Sequence, residues 1–172
     1  MIIIHLVDHD NLLSQAIKLY KKGRFAHAEA FTPQGTIIGA FAIGGVQERP
    51  LDYGTEKILD EVWLALKADD DMSAKFYHYL RSPEVMGEKY AYTDIVGFLE
   101  PFKLPHWHAV FCSALIDDAL RWVGWFQRPL PIAAHDVDPT TLHQMLYCQD
   151  EDRVKIITRQ SPEFLAFTLE MK

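Results

Sequence analysis

The sequence has only two cysteines, Cys112 and Cys148, among its 172 residues. Two thiols are too few for the disulfide scaffold on which small secreted domains depend, so we expect reduced thiols and a cytoplasmic location. Long apolar runs are missing too, and the opening MIIIHLVDHD becomes charged too early for a signal peptide or a membrane-spanning helix. We therefore expect no membrane span.

Basic residues are also scarce, with 17 Lys and Arg against 24 Asp and Glu and a formal net charge of −7. Nucleic-acid affinity rests on clustered Lys and Arg, and no basic stripe is present, so we expect no nucleic-acid partner. Repeats and low-complexity stretches are absent from the sequence. Because 49% of the residues are hydrophobic, the chain can bury a core, and its length predicts one domain over 1–172.

The spacing of the apolar residues predicts a mixture of helices and strands. Helices are expected at 11–22, 69–80, 93–98, 138–147, and from Cys112 or Ser113 to Gly124. Strands are expected at 1–7, 25–31, 36–43, 46–51, 154–158 and 164–169, and at 57–68, where a helix is the alternative. The sum is an α+β fold, in which an antiparallel sheet packs with the cysteine-bearing helix.

Cys112 is a candidate nucleophile because it stands where an irregular approach meets an amphipathic helix. A thiol in the first turn of a helix faces unpaired backbone N–H groups and the positive end of the macrodipole, both of which favour the thiolate. The alternative is a small buried side chain without chemistry, since free cysteines are often buried.

His27 is the histidine best placed to act as a base for such a thiol. It opens the predicted strand FAHAEAF, in which alternation puts His27, Glu29 and Phe31 on one face. A base on a strand opposite a cysteine at a helix N-terminus is the arrangement of papain-like sites. The alternative is a surface histidine beside a solvated glutamate.

Four segments together carry a family resemblance: LLSQAIKLYKKGRFAHAEAF, TPQGTIIGAFAIGGVQERPL, GEKYAYTDIVGF and FCSALIDDAL. Over about residues 1–147 the chain resembles the circularly permuted branch of the NlpC-type, papain-like cysteine peptidases and amidases. In that branch the histidine strand comes first and the cysteine helix comes late. The resemblance implies a permuted papain-like fold, Cys112 as nucleophile and His27 as general base, with no cofactor.

The chain departs from the family pattern at the residue that orients the histidine. The family usually places a polar residue about a dozen positions after the histidine, where this sequence has Gly39. Glu29, on the face of His27, or a backbone carbonyl could replace it. Tyr90 matches the family's connector tyrosine beside the nucleophile, which implies a role in oxyanion binding; a core aromatic is the alternative. The backbone N–H of Cys112 is the other expected oxyanion donor.

The predicted function is a cysteine hydrolase that cleaves a peptide or amide bond through an acyl-enzyme. One alternative keeps the site but makes the protein an acyltransferase or thioesterase of the lecithin:retinol acyltransferase type, so the partner is a peptide, amide or acyl substrate. The other alternative, suggested by Gly39, is a catalytically inactive binding module. The oligomeric state stays open.

A metal site is the competing chemistry. His106 and His108 share a face of a predicted strand, and His135, Asp136 and Asp138 add further ligand types. Neither group has a diagnostic spacing such as HExxH, so we predict no metal.

Overall fold

The protein is described by a computed structural model that covers residues 1–53, 58–90, 109–128 and 130–169. Its strands are β1 (Ile2–His9), β2 (His27–Phe31), β3 (Thr36–Phe41), β4 (Gly45–Pro50), β5 (Ile58–Leu66), β6 (Lys89–Tyr90), β7 (Ala109–Val110) and β8 (Val154–Ile157). Its α-helices are α1 (Leu12–Lys21), α2 (Asp70–Leu80), α3 (Cys112–Trp122), α4 (Pro139–Tyr147) and α5 (Pro162–Leu169). A 3₁₀ helix spans Ala134–Asp136.

Six of these strands form one sheet in the order β4-β3-β2-β1-β5-β8, and every neighbouring pair is antiparallel. The two short strands β6 and β7 pair separately and in parallel. The predicted α+β class and the antiparallel sheet are therefore confirmed. Within the segment predicted at 57–68, for which a helix was the alternative, Ile58–Leu66 form the strand β5.

The strand β1 lies near the middle of the sheet, between β2 and β5. Its first three residues, Ile2, Ile3 and Ile4, are fully buried, as a strand covered on both faces requires. The next residue, His5, is also buried, and it stands opposite Glu29 on β2 and Trp63 on β5. A buried imidazole must find hydrogen-bond partners, so this register places a polar cluster inside the sheet.

The cysteine helix α3 packs against β2 and β3 and begins at Cys112. Phe111 is its N-cap and provides no side-chain hydrogen bond. The hydroxyl of Ser113 donates instead to the backbone carbonyl of Val137 at 2.6 Å, which ties the first turn of the helix to the chain before α4. The predicted packing of the sheet with the cysteine-bearing helix is thus present.

The starts of the other predicted helices are confirmed by their capping side chains. Asn11, Asp69 and Asp138 each accept a hydrogen bond from the backbone N–H three residues on, at 2.8, 2.7 and 2.8 Å. Each bond satisfies a donor that a helix start leaves unpaired. The helix predicted at 93–98 lies outside the described residues.

The strand predicted at 164–169 is wrong, because this segment forms the helix α5. Proline favours the first turn of a helix, where its missing N–H costs nothing, and α5 opens on Pro162. Phe164 and Phe167, three residues apart, are both buried and face the Phe31 ring at 4.7 and 5.9 Å. The aromatic residues thus follow a helical spacing that a short segment does not distinguish from a strand.

The described α-helices are at most eleven residues long. None of them combines the length and the apolar composition that crossing a membrane requires.

Candidate active site

The Cys112 thiol and the His27 imidazole lie near each other where α3 and β2 begin, close enough for each group to shift the pKa of the other. The backbone N–H groups of Ala28 and Ser113 also lie near enough to the sulfur to lower the pKa of the thiol. Cys112 is only 2% exposed, so its sulfur is surrounded by these donors rather than by water. Two residues 85 positions apart in the chain thereby bring together a thiol and an imidazole, the two groups that a cysteine nucleophile and its base require.

The electrostatics of this pair favour charge separation. Burial alone would raise the pKa of the Cys112 thiol, but the adjacent His27 and the two backbone donors outweigh burial and lower it. Burial alone would lower the pKa of His27, but Cys112 and the Glu29 carboxylate outweigh it and raise that pKa. The pair is therefore most stable as thiolate and imidazolium, which is the reactive form of a cysteine nucleophile.

The Glu29 carboxylate faces the Nε2 atom of the His27 ring. Its Oε2 is 3.4 Å from His27 Nε2, close enough for an ion pair, although the geometry leaves that buried nitrogen without a hydrogen bond among the described residues. The imidazole therefore lies near both a thiol and a carboxylate, the two groups that accompany the base of a catalytic triad.

Gly39 lies beside this ion pair. A Cβ atom built at Gly39 would be 3.4 Å from His27 Nε2 and 3.2 Å from the Glu29 Cβ. A side chain at position 39 would therefore point at this nitrogen of His27. In this protein the space next to Gly39 is used by Glu29, which reaches the same nitrogen from β2.

Two residues that the sequence patterns did not indicate, His5 and Glu61, extend the contacts of Glu29 into a chain. His5 Nδ1 lies 2.7 Å from Glu29 Oε1, and His5 Nε2 lies 2.8 Å from Glu61 Oε2 on β5. The indole ring of Trp63 stacks on the His5 imidazole at 3.9 Å and 11°. The signal in the sequence was His5 itself, a histidine within the apolar run MIIIHLV. Its partners could not be predicted, because they depend on which strands pair.

Glu29 is ionised in this setting. Burial alone would raise the pKa of its carboxyl group, but the contacts with His27 and His5 outweigh burial and lower that pKa well below its usual range. A buried carboxylate between two imidazoles carries the negative charge that stabilises imidazolium on either side. Glu29 is therefore able to orient His27 and to balance its charge.

Tyr90, the predicted oxyanion residue, ends the strand β6. Its backbone pairs with Val110 on β7, two residues before Cys112. The Tyr90 side chain lies outside the part of the structure that is described, so its role in oxyanion binding stays a prediction.

A cavity of about 220 Å³ reaches the His27 and Glu29 side chains, and His9, Phe41, Arg49 and Tyr53 also contribute to its wall. The Arg49 guanidinium lies between the Phe41 and Tyr53 rings, at 3.9 and 4.1 Å from their centroids. This cavity gives a small group access to the edge of the His27 ring.

The competing metal ligands are not brought together in the described ranges. His106 and His108 fall outside them, and His135 and Asp136 are exposed in the 3₁₀ helix. No group of three or more His, Cys, Asp or Glu side chains within the described residues could hold a metal ion.

Comparison with known proteins finds neither a family model nor a curated protein that matches this chain.

Proposed function

We propose that the protein is a cysteine hydrolase that cleaves a peptide or amide bond through an acyl-enzyme, on a permuted papain-like fold. The observation that carries the proposal is the proximity of the Cys112 thiol, at the start of a helix, to the His27 imidazole, whose Nε2 atom faces Glu29. The order along the chain, with the histidine strand before the cysteine helix, supports the permutation. Cys112 is the nucleophile, His27 the general base and acid, and Glu29 the orienting residue.

The reaction has two steps. The Cys112 thiolate attacks the carbonyl carbon, and the carbon–nitrogen bond breaks as the His27 imidazolium gives a ring proton to the leaving amine. A water molecule then attacks the thioester while neutral His27 accepts a proton from it. The carboxylic acid leaves, and the thiolate–imidazolium pair is restored. Through both steps the Glu29 carboxylate keeps the His27 ring in one orientation.

The backbone N–H of Cys112 is the oxyanion donor in this scheme. The first hydrogen bond of α3 runs from the Leu115 N–H to the Phe111 carbonyl at 2.9 Å, so the N–H groups before Leu115 are not used by the helix. Such a donor stabilises the negative oxygen of the tetrahedral intermediate at no cost in reorganisation.

The geometry of the site bears differently on the two alternative functions, the acyltransferase or thioesterase and the inactive module. An acyltransferase or thioesterase of the lecithin:retinol acyltransferase type would use the same Cys112 and His27, and an acyl acceptor would replace water. The inactive module was suggested by Gly39, and Glu29 at 3.4 Å from His27 Nε2 supplies the acid that Gly39 lacks. The geometry therefore supports an enzyme better than an inactive module.

The pH dependence of Cys112 alkylation tests this proposal. Cys148 is exposed, so the rate is measured with iodoacetamide in a Cys148→Ser background. Because the pKa of Cys112 is lowered, its alkylation should persist at pH values where an ordinary thiol is protonated, and fall only as the pH drops through that lowered pKa. Burial of the sulfur lowers the alkylation rate by the same factor at every pH, whereas the pKa of the thiol sets the pH at which the rate rises.

His27→Ala is the matched variant. It removes the cation that favours the thiolate, so the rise should move to higher pH by at least about one unit, which corresponds to ~1.4 kcal/mol. A wild-type curve that rises only near the pKa of a free thiol, unchanged in His27→Ala, would favour the inactive module.

A further inference from the structure

We infer that His5 is a positioning residue of this active site, which holds the Glu29 carboxylate against His27 through a chain of charges that runs from buried Glu29 to Glu61 at the surface. This inference rests on the proposed function, in which Glu29 orients His27. It adds to that function two residues, His5 and Glu61, that lie on strands β1 and β5 and touch neither the Cys112 thiol nor the His27 ring directly.

The contacts of His5 require it to be an imidazolium. Each ring nitrogen lies within 2.8 Å of a carboxylate oxygen, Nδ1 with Glu29 and Nε2 with Glu61. Carboxylates only accept hydrogen bonds, so both nitrogens must carry a proton, and only the cationic form has both. The His5 side chain is 3% exposed, and therefore water does not replace either partner.

The surroundings of His5 agree with this charge. Glu29 and Glu61 are the charged groups in contact with the ring, while Arg159, 3.6 Å from Glu61, and the imidazole of His9 stand one step further away. Burial alone would lower the pKa of His5, but the two carboxylates outweigh it and raise that pKa. The contact with His5 also lowers the pKa of Glu61 to about 2.

Glu29 depends on His5 more than on His27 for its position. Its contact with His5 is a hydrogen bond of 2.7 Å, whereas its contact with His27 is a looser ion pair of 3.4 Å. Trp63 in turn fixes the plane of His5 by stacking, and its indole N–H donates to Glu61 at 3.0 Å. Loss of the His5 donor would leave the buried Glu29 with one poorly aligned partner, free to turn away from His27 or to take up a proton.

Two substitutions of His5 separate its two hydrogen bonds. The amide nitrogen of asparagine falls near the position of Nδ1, and that of glutamine near the position of Nε2. His5→Asn therefore keeps a donor toward Glu29, and His5→Gln keeps one toward Glu61. Both variants remove the charge and leave a buried polar side chain, so each is the matched structural control of the other.

The experiment is the pH profile of Cys112 alkylation by iodoacetamide in the Cys148→Ser background, together with the melting temperature of each variant. Without an anchored Glu29 the His27 imidazolium is less stable, and the pKa of Cys112 rises. In His5→Gln we expect the rise of the curve to move to higher pH by about one unit, a roughly tenfold slower reaction on its acid side. In His5→Asn we expect less than half of that shift, at a similar melting temperature.

The outcomes distinguish this inference from the proposed function. An ordinary thiol curve in the parent protein would reject the proposed function itself. A low-pH curve in the parent that neither His5 variant moves would reject only the role of His5. Equal shifts in the two variants would also reject that role, because a purely structural effect does not distinguish Nδ1 from Nε2. If the variants fail to fold, Glu61→Gln provides the test, and an unmoved curve in that variant overturns the chain to Glu61.

Discussion

At the scale of single residues, the site combines an acid at position 29 with the lack of a side chain at position 39. The chain has an acid on the strand of His27 and no side chain at Gly39 on the neighbouring strand. The two positions face the same nitrogen, since Glu29 Oε2 and a Cβ built at Gly39 both lie 3.4 Å from His27 Nε2. The absence of a side chain at Gly39 therefore leaves the room in which Glu29 and His27 meet.

Gly39→Ala tests whether Glu29 and His27 need the space next to Gly39. The new Cβ would lie 3.2 Å from the Glu29 Cβ, which is tighter than ordinary contact, so Glu29 and His27 must shift by a few tenths of an ångström. Small displacements of catalytic groups cost rate steeply, and we expect the alkylation rate of Cys112 below neutral pH to fall about tenfold.

The control for Gly39→Ala is Ala40→Gly, at the next position of β3. Ala40 is fully buried, so the loss of its methyl group should lower the melting temperature by a few degrees and leave the alkylation rate unchanged. An alkylation rate in Gly39→Ala equal to that of the parent would contradict this account, because it would show that the pair of Glu29 and His27 does not need the space next to Gly39.

At the scale of secondary structure, local signals predicted most elements, missed the two-residue strands β6 and β7, and assigned one helix as a strand. Capping residues and periodicity located α1, α2, α4 and the strands from β1 to β5, because these signals act within a few residues. Every residue of the segment 164–169 except Thr168 is apolar, so the pattern of polar and apolar residues does not distinguish a helix from a strand. The segment was therefore predicted as a strand. Its helical form depends on the aromatic surface of Phe31 and Trp63, against which Phe164 packs, and that surface exists only in the folded sheet.

Alanine substitutions in α5 test this assignment. In a helix Phe164 and Phe167 face the core together, whereas Leu165 is 48% exposed. Phe164→Ala should cost about 3 kcal/mol of unfolding free energy and lower the melting temperature by roughly 6–12 °C. Leu165→Ala should change stability by less than about 0.5 kcal/mol. Similar costs at 164 and 165 would contradict the packing described for α5.

At the scale of the whole molecule, the site depends on a chain of charges that crosses three strands. His27 and Glu29 lie on β2, His5 on β1 and Glu61 on β5, and these strands are adjacent in the sheet. The sequence indicated the first two residues because alternation within one strand is local. It did not indicate His5 or Glu61, because their contacts depend on the pairing of strands up to 56 residues apart.

The pair of Cys112 and His27 also joins distant parts of the chain. The family resemblance suggested it, and the structure brings the two side chains together at the start of α3. The proposed chemistry requires that Cys112 forms an acyl-enzyme, and this intermediate can be measured directly.

That measurement is the intact mass of the Cys148→Ser protein after brief exposure to a p-nitrophenyl ester of a short acyl chain. We predict a mass increase of one acyl group that maps to Cys112, is absent in Cys112→Ala and forms more slowly in His27→Ala. Its decay should release the free acid, or an amide if an added amine acts as acceptor, which separates hydrolysis from acyl transfer. An unchanged mass, with p-nitrophenol released no faster than in Cys112→Ala, would contradict the account.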